Sequence, residues 1–84
     1  MVRQLPGRLK NGKKLVGVKQ SGRALSEDKV LVCYIAADAE ARVTSPVRNA
    51  CAEKSVEVVE VSAMSELGGF CGIETGASVA VLLK

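Results

Sequence analysis

Eighty-four residues, 48% of them hydrophobic, are enough for one compact domain and too few for two. With aromatic residues at only 2%, the core must be filled by Val, Leu, Ile and Ala, the mixture of buried strands packed on small-faced helices, which favours an α/β domain over an all-α one. The net charge of +3 is modest and histidine is missing altogether, which removes the commonest general base, proton shuttle and metal ligand at neutral pH.

No window approaches the roughly 18 to 20 uninterrupted apolar residues of a membrane span, and no apolar run follows the basic residues of the first ten as it would in a secretion signal. Cys33, Cys51 and Cys71 are odd in number and contain no close-spaced pair, so neither a disulfide framework nor a zinc site is expected. The expectation is a soluble cytoplasmic monomer with three buried thiols, no cofactor, no membrane partner and no catalytic activity. The charge is also lopsided: Arg3, Arg8, Lys10, Lys13, Lys14, Lys19 and Arg23 fall in the first 25 residues with no acid among them, whereas acids outnumber bases from Ser26 onward. A separated basic segment points to a polyanionic partner, because neutralising phosphates releases their counterions.

In chain order, Leu15 and Val16 form a short apolar strand that feeds a helix through Gly17, with Val18, Ala24 and Leu25 on one helical face. Ser26, Glu27 and Asp28 interrupt before residues 30–37, a continuous β-branched run that reads as the central strand, covered on both faces. Ser45 and Pro46 supply N-cap and first-turn residues for a helix reaching about Lys54. Residues 55–61 form a strand whose Glu57 and Glu60 mark an exposed face or edge. Residues 62–70 can form a short helix capped by Ser62 or Ser65, with Gly68, Gly69, Gly72 and Gly76 making the stretch after Leu67 loop-like. The last strand covers 77–83. Alternating strands and helices predict a mostly parallel or mixed sheet between helical layers.

Two segments spend polar or glycine residues where a bland domain has no need of them. In Gly17-Val18-Lys19-Gln20-Ser21-Gly22-Arg23, a glycine at a strand-to-helix junction presents free backbone N–H groups and a positive dipole end, with Lys19, Gln20 and Arg23 projecting. Lys and Arg can pair with phosphates or guanine acceptors and Gln with a base edge, a set suited to RNA. In Leu67-Gly68-Gly69-Phe70-Cys71-Gly72-Ile73-Glu74-Thr75-Gly76-Ala77, the glycines allow a tight exposed loop in which Ile73 offers an apolar platform to an unstacked base. Its spacing departs from G-x-G-x-x-G and it precedes a strand, so it is not a dinucleotide fingerprint.

Gly-x-Lys-Gln-x-x-Arg, followed some fifty residues later by Leu-Gly-x-x-Cys-Gly-Ile-Glu-x-Gly-Ala, with an Ala37-Asp38 turn between them, resembles the archaeal and eukaryotic large-subunit ribosomal protein L7Ae family, and most of all its short bacterial members of the YbxF type. The resemblance runs from Lys14 to Leu83. It implies a three-layer α-β-α sandwich with a four-stranded mixed sheet that binds RNA kink-turns, bent internal loops built on tandem sheared G·A pairs, in the ribosome or another ribonucleoprotein. It further implies that Lys19, Gln20 and Arg23 approach the G·A pairs, with Lys14, Gly17 and Val18 beside them, while Ile73, Glu74 and Thr75 cover the flipped-out nucleotide. Archaeal members carry Asn and Glu at the positions of Lys19 and Gln20, and Arg23 replaces their usual Lys, which keeps charge but alters hydrogen-bond geometry. Pro6 and Gly7 interrupt the region of the family's first helix. The expected partner is RNA and not DNA; the alternative is a ribosome-associated module that engages another protein through the strand edge at residues 56–61.

Overall fold

The computed structural model describes residues 13–73 and 75–84. The expectations placed on the basic residues Arg3, Arg8 and Lys10, on Pro6 and Gly7, and on Glu74 lie outside the described residues. Within them the order is β1 (Lys14–Val16), α1 (Val18–Ser26), β2 (Val30–Ala36), α2 (Ala41–Lys54), β3 (Glu57–Val61), α3 (Met64–Cys71) and β4 (Val79–Leu83).

The strands form one sheet in the order β1-β4-β2-β3, with β2 and β3 parallel and β4 antiparallel to both β1 and β2. Period-two alternation divides each strand between two cores. On one face Tyr34, Ala36, Val61, Ala80 and Leu82 pack against Leu67 and Cys71 of α3. On the other, Cys33, Ile35, Val79 and Val81 pack against Ala24 and Leu25 of α1 and Val47 and Cys51 of α2. The result is the expected three-layer α-β-α sandwich with a mixed sheet. All three thiols are buried, and burial raises the pKa of each above its ordinary value, so the protonated form persists at neutral pH.

Three details depart from the sequence expectations. Strand β2 is not covered throughout: Val30 pairs with Leu83 and Val32 with Leu82, so Leu31 is an extra residue in a bulge and stands 44% exposed. Helix α2 does not start at Ser45 and Pro46 but at Ala41, with Glu40 as its N-cap and Pro46 inside it. The lost N–H bond at an exposed Pro46 is offset by burial of Thr44, Val47 and Cys51 on the inner face. Helix α3 is capped by neither Ser62 nor Ser65; it begins after Ala63 and continues through Gly68 and Gly69 to Cys71.

Candidate nucleic-acid interface

Sheet topology gathers the polar segments at one end. The register pairs Val16 with Ala80 and Ile35 with Val79. Beyond it, Gly17 N–H donates to Val79 O at 2.9 Å, Ala36 N–H to Ser78 O at 2.9 Å and Ala37 N–H to Val61 O at 2.6 Å. The ends of β1, β2 and β3 and the start of β4 therefore form one rim. All three described helices also begin there, after Gly17, Glu40 and Ala63. Their positive dipole ends face the same side, the usual ligand side of an open α/β sheet.

The start of α1 requires its glycine for the backbone, and the space beside it is taken by a mobile side chain. Gly17 has φ 112°, and a Cβ there would lie 2.9 Å from Gln20 Oε1, which folds back over it. No side chain caps this end and no acid occupies the first turn, so nothing on the helix itself satisfies the dipole. Lys19, Gln20 and Arg23 are exposed and Val18 is half-buried; Arg23 follows Lys19 by one turn on the same side. Lys14 is placed elsewhere. It opens β1 opposite Leu82, on the face covered by α3, where its charge acts on the Cys71 thiol. It lies three residue steps before Gly17, about 10 Å away along the strand.

Across the rim, the loop after α3 is fixed by close backbone approaches. Gly72 has φ 81° and donates its N–H to Gly69 O, and Ile73 N–H returns to Gly68 O, both at 3.0 Å, closing the helix with a left-handed cap. A Cβ on Gly68 would lie 2.1 Å from Thr75 O, and one on Gly76 would lie 3.1 Å from Met64 Cβ. Ala77 N–H to Met64 O at 3.0 Å completes the attachment. The glycines thus let the loop lie directly on α3, leaving Ile73 38% exposed with Thr75 beside it.

Asp38 belongs to this construction and was read from the sequence only as part of a turn. Its Oδ1 accepts the Met64 N–H at 2.8 Å, capping α3 from the β2–α2 connection. The available signal was a carboxylate directly after the central strand, at the end of the sheet where ligand sites form.

The cations divide into two groups. Lys29 pairs with Glu27, Arg42 with Glu40, Arg48 with Glu60 and Lys54 with Asp28. Among the described residues, Lys13, Lys19, Arg23 and Lys84 have no such partner, and of these Lys19 and Arg23 lie on α1. The structure therefore brings Gly17, Val18, Lys19, Gln20 and Arg23 together at the rim, and the loop that carries Ile73 and Thr75 meets the same rim where Ala77 bonds Met64 and the chain enters β4.

An α-β-α domain with a bare helix start and a clamped apolar loop on one rim agrees with the resemblance carried by the two motifs. The sequence model of the Ribosomal protein L7Ae/L30e/S12e/Gadd45 family matches residues 2–84, and the chain belongs to that family. A relative from Caldanaerobacter subterraneus subsp. tengcongensis, named as an RNA-binding protein, is 44% identical over 68 residues, covering 81% of this chain and 83% of its own. The RNA-binding protein YbxF of Geobacillus stearothermophilus is 36% identical over 76 residues, covering 90% and 93%. Among solved structures, the 15.5 kD RNA-binding protein of Giardia lamblia superposes with a TM-score of 0.87 at 24% identity, over 94% of this chain and 70% of that one. A Bacillus halodurans protein of unknown function gives 0.77 at 20% identity, over 84% and 71%. At those identities the structural likeness is one of fold.

Proposed function

We propose that the chain binds RNA at this rim and selects kink-turns, holding them in the bent form within the ribosome or another ribonucleoprotein. The observation that carries the reading is the exposed Lys19, Gln20 and Arg23 set, whose two cations have no carboxylate partner among the described residues, on a helix start with no side-chain cap and no acid in its first turn. The naming of the curated relatives as RNA-binding proteins supports it.

In this reading the cations and first-turn N–H groups hold phosphates. The Gln20 amide, which can donate and accept, meets a base edge of the sheared G·A pairs, which the bend makes reachable in an otherwise narrow RNA major groove. Ile73 and Thr75 shield the extruded nucleotide, with Glu74 between them in the sequence. A protein with this site acts on RNA by population shift, because it binds the bent conformer and not the extended one. The alternative, a protein partner on β3, has a sheet edge in its favour, but the exposed Glu57 and Glu60 on that strand are of the kind that blunt edge-to-edge pairing.

The test is a gel-shift titration at two salt concentrations with a short kink-turn RNA and a control in which Watson-Crick pairs replace the G·A pairs. Binding to the kink-turn alone is expected. Equal, salt-sensitive binding to both would reduce the site to a non-specific basic patch, and binding to neither would favour the protein-partner reading.

A further inference from the structure

The rim is not the only place where the α1 side of the molecule presents cations. A groove of about 240 Å³ runs from the rim down between α1 and the β1 edge. Its wall is Gln20, Arg23 and Glu27, spaced i, i+3 and i+7 along one helix face, its floor is the half-buried Leu15 and Leu83, and Lys29 closes its lower end. There three strand ends converge, since Leu83 N–H donates to Lys13 O at 2.8 Å and Lys84 N–H to Lys29 O at 2.9 Å. Lys13, Lys29 and Lys84 are thereby gathered at one corner, all exposed.

Among the described residues only Glu27 opposes them in the groove, and its carboxylate is engaged by Lys29 Nζ at 3.1 Å; neighbouring Asp28 is engaged by Lys54 at 3.3 Å. An apolar floor flanked by cations suits a sugar-phosphate strand, with riboses on the leucines and phosphates at the lysines. The nine residues of α1 span about 13 Å, roughly four nucleotide steps of a duplex strand.

We infer that this groove is a second RNA contact, which takes the phosphate backbone of the stem that continues from the kink-turn. The inference rests on the RNA reading of the rim. It assigns phosphate contacts to Lys13, Lys29 and Lys84, and makes Glu27 a brake on binding, since its carboxylate both holds Lys29 and repels a phosphate.

The experiment uses the full chain with a kink-turn RNA of minimal stems and with the same RNA lengthened by one helical turn on each side in turn, titrated across a range of salt. One lengthened RNA is expected to bind more tightly, with a salt slope steeper by about three, roughly one unit for each of the three added phosphate contacts. The triple variant Lys13→Gln, Lys29→Gln, Lys84→Gln should lose that increment and bind the minimal RNA as the unaltered chain does, while Glu27→Gln should strengthen only the lengthened complex, by about threefold. Equal slopes for all RNAs, or equal weakening of both complexes by the triple variant, would overturn the groove while leaving the rim intact. Failure of the unaltered chain to bind the minimal RNA would overturn the rim itself, and the groove with it.

Discussion

The start of α1 and the interface between α2 and β3 use similar residues in opposite ways. At α2 and β3, Arg48 donates from both terminal nitrogens to Glu60, and Glu60's pKa is held below the ordinary carboxylate value chiefly by that hydrogen bonding. Lys54 at the other end of α2 is likewise committed to Asp28. At α1 the cations meet no carboxylate among the described residues, and the helix dipole is left uncompensated. One region spends its charge within the fold; the other keeps it for a ligand. Exposed pairs contribute little to stability, with a median near 0 to 1 kcal/mol. What distinguishes the two regions is thus the electrostatic surface left over.

The largest effect that should follow from this contrast is on affinity. The double change Lys19→Ala, Gln20→Ala removes a phosphate or base partner and a base-edge amide, worth together about 3 kcal/mol, or roughly a hundredfold. It should leave the melting temperature within a few degrees, since both side chains are exposed. A kink-turn affinity unchanged by the double variant would mean that the free cations are not the binding surface. Next comes Gly68→Ala. Added helix propensity would favour it by about 1 kcal/mol, but the new methyl meets the Thr75 carbonyl at 2.1 Å, and backbone cannot rotate away as a side chain can. A net loss of about 2 kcal/mol, read as a fall in Tm of roughly 10 °C, should accompany a loosened Ile73 loop. Ile73→Ser should weaken kink-turn binding by about fivefold, and because the side chain is only 38% exposed it should also cost about 1 kcal/mol of stability, a fall in Tm of a few degrees.

Those same residues show what could be read from sequence and why. The class of fold was legible because periodicity is local: the β-branched run at β2, the Gly17 junction and the glutamates on β3 each announce themselves within a few positions, and β3 is indeed an edge strand. The candidate site was legible residue by residue but not as a place. That β1, β2 and β3 end where β4 begins is a fact of strand order, and the Ala77 to Met64 hydrogen bond is what ties the loop after α3 to that end of the sheet. Gly68 and Gly69 read as loop because glycine disfavours helix locally, whereas the reason for Gly68 is a carbonyl seven residues further on. Pro46 read as a helix start for the same local reason, and burial of Thr44, two residues before it, overrode that reading. Asp38 was missed because its role is to cap a helix 26 residues away.

The smallest effect tests the other side of the contrast. Arg48→Ala removes the partner that lowers the Glu60 pKa, yet with the two side chains 39% and 53% exposed the pair is screened, and the cost in stability at neutral pH should be below about 1 kcal/mol. The sign with pH is fixed by linkage. Because the folded pKa of Glu60 lies below its unfolded value, the contribution is present above the unfolded value and disappears as pH falls through the folded one. Chemical denaturation of Arg48→Ala and of the unaltered chain should therefore give curves that differ slightly at pH 7 and coincide in acid. Kink-turn affinity should be the same for both, since Arg48 is already committed to Glu60. A loss of RNA binding in Arg48→Ala comparable to that of the Lys19 and Gln20 variant would erase the distinction between paired and unpaired cations, and with it the reason for placing the site at α1.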